Sequence, residues 1–335
     1  MPTIRAERPE VVAAVLDRIN APINFIGRRF FPVIPIADKT GVLYYMSLVA
    51  DALAEVRSDQ YATVTAGTMG EDSANFTATE KVKSYSIPEA REKGYGGIDA
   101  ADRIGVTAAC RSVRRKHETD ASAKVITAAR YNAGTYLTDG QVLRGMQTVA
   151  LSVGRYYGKT VLAGSTTFFQ NFVMASDVSA KIASLVGNGF DPKKFADAVE
   201  GQPSVALAIL RAFLPFDEVL VGDDAFWALS GKTDAGIIAR LPSVEDAADP
   251  ERMEMAMREN AVYGVGPWYL PDPASREILF QCRSYFDDSN DCNIYKAKGF
   301  FDLLELNASA AKIVKFTPPA VSTTTTSTTT TTTAG

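Results

Sequence analysis

Lys81-Val82-Lys83-Ser84-Tyr85-Ser86-Ile87 runs into Pro88-Glu89-Ala90-Arg91-Glu92, crosses Gly94 to Gly97, and opens onto a helix predicted from about Asp99 to Arg130. The first run is polar yet strand-prone. The proline and glycines end it, and Asp99 and Asp102 supply capping and dipole complement to the helix that follows. An extended excursion that feeds one long helix, in a chain with little catalytic chemistry, has the pattern of a building block.

Upstream of this junction, residues 42 to 87 read as paired strands with a long tip. Val42 to Met46, Tyr61 to Thr65 and Val82 to Ile87 favour extended structure, 52 to 57 fits a helical turn, and Gly67, Gly70 and Glu71 to Ala74 fit a mobile tip. Residues 1 to 41 form an arm: an amphipathic helix over Pro9 to Ile19, then Pro22, Pro32 and Pro35 with Phe25, Phe30, Phe31 and Ile34 between them. Such an arm cannot bury its aromatics alone and must lie on its own body or on a neighbouring copy.

Downstream, the long helix places Ile104, Ala108, Val113 and Val125 on an apolar stripe. Arg111, Arg114, Arg115 and Lys116 form a basic face, solvated or salt-bridged by default, with contact to acidic surfaces of neighbouring subunits or to nucleic acid as the functional reading. A second helix, about Asp139 to Tyr156, opens on the capping-box pattern Thr138-x-x-Gln141. Residues 159 to 271 alternate strands and helices: a strand at Thr160 to Ala163, helices near 176 to 186, 192 to 200 and 204 to 214, and a strand at Glu218 to Gly222. Beyond Pro271 and Pro273, runs at 278 to 285 and 292 to 297 flank the acidic turn Asp287 to Asp291 as a hairpin would. Lys312 to Phe316 is the final strand, expected to return to the sheet that carries the long helix. Residues 318 to 335 are a threonine-rich tail with no apolar face to bury, expected to be disordered.

Composition bounds the function. At 335 residues and 46% hydrophobic the chain can bury a sizeable core, and its net charge of -4 argues against a dedicated nucleic-acid binder. Three cysteines (Cys110, Cys282, Cys292) and no charged-then-apolar leader point to free thiols and a cytoplasmic product. No stretch approaches the ~20 apolar residues a membrane helix needs.

The catalytic candidates are weak. Gly154 and Gly158-Lys159-Thr160 fall one residue short of the phosphate-loop spacing and sit at a helix end leading into a strand, so a helix stop is the reading. His117, the single histidine, lies among Arg114, Arg115 and Lys116, which would lower its basicity, and Cys282 and Cys292 lack zinc spacing. Neither cofactor nor metal is expected.

The order of these parts resembles the major capsid protein of tailed bacteriophages, the Hong Kong 97 fold. The resemblance rests on Tyr85-Ser86-Ile87-Pro88-Glu89 before the long helix, on Phe213-Leu214-Pro215-Phe216-Asp217-Glu218-Val219-Leu220-Val221-Gly222 as a helix leading to a buried strand, and on Arg283-Ser284-Tyr285-Phe286-Asp287-Asp288 in the late hairpin. It implies an α+β chain: an N-terminal arm (1–41), an E-loop hairpin (42–87), a P-domain with a spine helix (88–158), an α/β A-domain (159–271) and P-domain return strands (272–317). It further implies a virion capsid protein without catalysis, assembled in the host cytoplasm as hexamers and pentamers around double-stranded DNA. Partners would be a scaffolding protein, a portal and decoration proteins. The assembly residues would be Phe25, Phe30, Phe31, Tyr44, Tyr45, Tyr61, Lys81, Lys83, Arg111, Arg114 and Arg115. Deleting residues 1 to 36 should then leave a soluble body that does not close shells. Lys81 and Lys83 lie at the base of the excursion, so covalent crosslinking is not carried over. The alternatives are an encapsulin-like compartment, an α/β enzyme and a tail or adhesion protein.

Overall fold

The computed structural model describes residues 26–48, 71–92, 94, 98–187, 191–201, 209–228, 232–270, 281–287 and 289–318. Three sheets organise them. The first joins β1 (Val33–Ile36), β4 (Thr79–Pro88), β9 (Gly264–Tyr269), β10 (Gln281–Asp287), β11 (Cys292–Phe301) and β12 (Leu304–Glu305). β11 is its organiser: β4 pairs along its whole length from Cys292↔Pro88 to Phe301↔Thr79, while β10 and then β9 pair along its other edge. The second sheet has the order β5-β13-β8-β6-β7, built from β5 (Thr135–Tyr136), β6 (Lys159–Ser165), β7 (Glu218–Gly222), β8 (Ala235–Leu241) and β13 (Ala311–Lys315). The third is a two-stranded hairpin, β2 (Thr40–Met46) on β3 (Glu71–Thr77).

The long helix, Ile98–Val125, lies across β4 and β11. It reaches the sheet closely because the residues facing it are small. A Cβ on Gly105 would stand 2.2 Å from the Tyr295 ring, and the Tyr295 hydroxyl donates to Asp102 at 2.6 Å. Gly105→Ala therefore sets a helix-propensity gain of up to about 1 kcal/mol against a side chain with nowhere to go. We expect a net loss of about 1–3 kcal/mol from overpacking, read as a lower urea midpoint at unchanged m-value. A stabilised variant would show that the helix and β11 can part freely.

The observed stripe differs from the expected one. Val113 and Val125 are buried, but Ile104 is 46% exposed, and Ala101, Ala109, Cys110 and Ala121 are buried in its place. The helix also stops at Val125 instead of Arg130, because the Thr127 side chain caps a separate turn, Ala128–Ala133, by accepting from the Arg130 amide. The expected capping box at Thr138 does not form. The start of helix Val142–Val153 is capped instead by Asp177, which accepts from the Leu143 amide at 2.9 Å, and Asp139 accepts reciprocally from the Ser176 amide at 2.7 Å, so two helix starts cap each other.

Two further expectations are corrected. Glu71 to Ala74 belong to strand β3, where the ladder with β2 supplies backbone hydrogen bonds that need no apolar face. The final strand does not return to the sheet of the long helix. β13 lies between β5 and β8 in the second sheet, with Ile313, Val314 and Phe316 buried. A strand buried on both faces suits a covered sheet interior, whereas β4, β10 and β11 are covered by the long helix on one face.

The sequence expectation also missed β8 and β9. β9, within the span read as the α/β unit, pairs with β1 and β11 in the first sheet. The possible strand at Tyr61 to Thr65, the helical turn at 52 to 57, the amphipathic helix before Pro22 and the threonine tail from 319 onward lie outside the described residues.

Candidate assembly interface

The sequence residues sort into a buried joint and an exposed surface. Phe30 and Phe31 belong to the joint. They are fully buried, with Phe30 stacked on Trp227 at 5.3 Å between centroids and both rings against Tyr263. The arm's aromatics at 30 and 31 thus seat on their own body, and β1 continues the segment into the first sheet. Removing residues 1 to 36 would take out core, so that deletion would not leave the intact body expected of it.

Arg114 is the second correction. It is 5% exposed and shares the buried side of the long helix with His117 and Glu118, while Arg111 and Arg115 are exposed as expected. Cys110, Arg114, His117 or Glu118, Ala121 and Val125 recur at helical spacing, and that periodicity was the available signal for a polar patch on the core-facing side. Glu118 is the residue that sequence reasoning missed. Its carboxylate accepts from the Ile26 amide (2.7 Å), the Gly27 amide (2.9 and 3.0 Å) and Trp227 Nε1 (2.6 Å). It thereby pins the entering chain and the Asp224–Trp227 turn to the long helix. Gly27 is required here, since a Cβ would sit 2.7 Å from Glu118 Oε2.

Burial pushes the Glu118 carboxyl upward, against the hydrogen bonds from Trp227, Gly27 and Ile26 and the charge of Arg114. Burial lowers Arg28 to about 10, helped by Arg114 and opposed by Glu118. His117 lies between Trp268 (5.6 Å) and Phe301 (5.1 Å) and is lowered to about 3, first by burial and then by Arg28 and Arg114. Neighbouring cations were expected to reduce its basicity. Desolvation is the larger cause.

On the exposed side, Tyr44 is 63% exposed on the β2–β3 hairpin, whereas Tyr45 turns inward against Ile34, Phe76 and Met253 and its hydroxyl donates to Asp72. The loop end of the described ladder is fastened to the body by Asn307, which donates to the Met46 and Val262 carbonyls and accepts from the Leu48 amide. Lys83 lies 5.6 Å from the Tyr85 ring at the open edge of β4. Lys81 stands over Phe301 and lines a groove of about 450 Å³ with Lys124, Asp120 and Asp302. Phe25 and Tyr61 lie outside the described residues.

The rest of the chemistry is structural. Gly158 takes a φ of +106° with the Leu241 carbonyl packed against it, and the Thr160 amide is held by Asp217, so Gly158 turns the chain into β6, which Lys159 and Thr160 begin. Among the described residues no group of three or more His, Cys, Asp or Glu side chains could hold a metal, and no helix is long and apolar enough to cross a membrane.

No family model and no curated protein matches this sequence. Solved structures do. A phage-related protein from Bordetella bronchiseptica RB50 is 13% identical, with 94% of this chain and 97% of that one covered at a TM-score of 0.60. A protein of Microbacterium phage Oxtober96 is 9% identical over 88% and 91% of the two chains at 0.52. A virus-like particle from Pyrococcus furiosus is 10% identical over 91% and 98% at 0.50. At these identities the likeness concerns the fold, and the fold is α+β of the Hong Kong 97 type.

Proposed function

We propose that a chain with this fold is a shell-forming subunit, and specifically the major capsid protein of a tailed phage, assembled as hexamers and pentamers around double-stranded DNA. The observation that carries the reading is a fold likeness spanning 94% of the chain. In this reading the β2–β3 hairpin is the E-loop, Ile98–Val125 is the spine helix of the P-domain, and the second sheet is the framework of the A-domain. The role is structural, without a catalytic step. Tyr44, Lys81, Lys83, Arg111 and Arg115 remain surface candidates for contacts between copies or with packaged DNA, while Phe30, Phe31, Tyr45 and Arg114 serve the subunit's own core. A scaffolding protein, a portal and decoration proteins would complete the particle in the host cytoplasm.

Purified full-length protein, co-expressed with its neighbouring genes, should give uniform hollow shells by negative-stain electron microscopy and a matching radius by light scattering. Nuclease-protected DNA inside supports the phage head, and protein cargo would move the assignment to a compartment shell. A chain that stays monomeric or dimeric under all assembly conditions would overturn the reading.

A further inference from the structure

Opposite the long helix, the first sheet is covered by helix Pro250–Glu259 and the β2–β3 hairpin at β1, β9 and β12, and is left open along β4 and β11. Along β11, Tyr295, Ala297 and Phe301 are buried on the side of the long helix, so alternation turns Lys296 and Lys298 to the other side. Their register neighbours on β4, Ser84 and Val82, are exposed, Val82 at 49%. Lys39 joins this surface, 4.3 Å from the Phe300 ring that Lys298 also flanks at 5.3 Å. Among the described residues no ion pair engages Lys39, Lys296 or Lys298.

The same chain carries a surface of opposite sign. Residues 244 to 260, which form helices Val244–Ala248 and Pro250–Glu259, hold six carboxylates against Arg252 and Arg258. Their outer side exposes Glu245, Glu251, Glu254 and Glu259 together with Val244 (58%) and Met255 (59%). Arg258 pairs with Glu254 within the helix, but both side chains are largely exposed, and such pairs exchange partners at small cost. Each surface thus combines exposed apolar side chains with one predominant charge.

We propose that the open face of β4 and β11 docks the acidic 244–260 helices of a second copy of this chain. The inference rests on the shell reading and names a contact within it. Two different patches on one molecule make a head-to-tail contact, the kind that closes rings when the rotation permits. A polyanion such as nucleic acid would also meet the lysines, but it would have to approach a chain of net charge -4, whereas the second copy brings the matching acidic surface itself.

The test uses the full chain in three forms: Lys296→Glu with Lys298→Glu, Glu254→Lys with Glu259→Lys, and all four together. Circular dichroism and thermal melts first establish that each folds. Each pair should reduce the shell fraction, counted by electron microscopy at low salt, about tenfold or more, and the four-fold variant should recover to within about twofold of the unmodified chain. Normal shell yield from either pair would overturn the pairing alone, as would a folded four-fold variant no better than its parents. Shells from the lysine variant that form normally but have lost their nucleic acid would overturn it in favour of a polyanion. An unmodified chain that never assembles would overturn the shell reading and this contact with it.

Discussion

Glu118→Ala should cost the folded subunit about 3–5 kcal/mol, the range expected when one charged member of a buried network is removed and its partners stay behind. Three donors lose their acceptor at once: the Ile26 and Gly27 amides and Trp227 Nε1. Arg28 and Arg114 also lose an anion that offsets their burial. Glu118→Gln should fall between, because an amide oxygen still accepts but the charge is gone. Urea unfolding followed by Trp fluorescence reads both effects. A loss under about 1 kcal/mol for the alanine variant would mean that water enters and satisfies these groups, and the joint would then not be a dry one. The exposed Lys116–Asp120 pair on the same helix is a useful contrast, since breaking it should cost no more than about 1 kcal/mol.

The second large effect is one of pH. His117 has a folded pKa near 3, against about 6.5 for the unfolded chain, so below pH 6.5 the unfolded state binds a proton that the folded state refuses. Its contribution is present above the unfolded value and lost as the pH falls, amounting to about 3 kcal/mol between pH 7 and pH 4. Glu118 acts with the opposite sign. Its raised pKa favours the folded state in acid, and that contribution is lost as the pH rises through the folded value, so it offsets part of the histidine effect. Because the chain has one histidine, His117→Phe isolates it: the ring can still pack between Trp268 and Phe301, and the difference in stability slope between the two proteins over pH 4 to 7 is the histidine's own. Equal slopes would place the imidazole in contact with solvent.

What the sequence made legible were the elements with local punctuation. Ser176–Val186 follows its apolar spacing, and the β10–β11 hairpin announces itself by the acidic turn between two β-prone runs. β8, Ala-Gly-Ile-Ile-Ala-Arg-Leu, and β9, Gly-Val-Gly-Pro-Trp-Tyr, did not. Their glycines and proline interrupt the β-prone pattern, yet the glycines let other parts pack close: a Cβ at Gly236 would meet the Phe168 ring at 2.3 Å, and one at Gly264 the Leu304 carbonyl at 2.7 Å. The surface candidates divided for a related reason. Alternation along β2 separates exposed Tyr44 from buried Tyr45, and which face turns inward depends on helix Pro250–Glu259, some two hundred residues away in the chain. Arg114 and Glu118 were obscured by their own charge, since a charged residue is ordinarily read as solvated until its partners from residues 26, 27 and 227 are in place.

The position of β13 sets a timetable. Because residues 311–315 fill the gap between β8 and β5, the second sheet has two unsatisfied strand edges until residue 315 has left the ribosome. At about 5–20 residues per second the earlier strands wait many seconds for the last one, longer than hairpins and helices take to form. A product truncated before residue 311 would therefore keep both edges open and be a substrate for quality control.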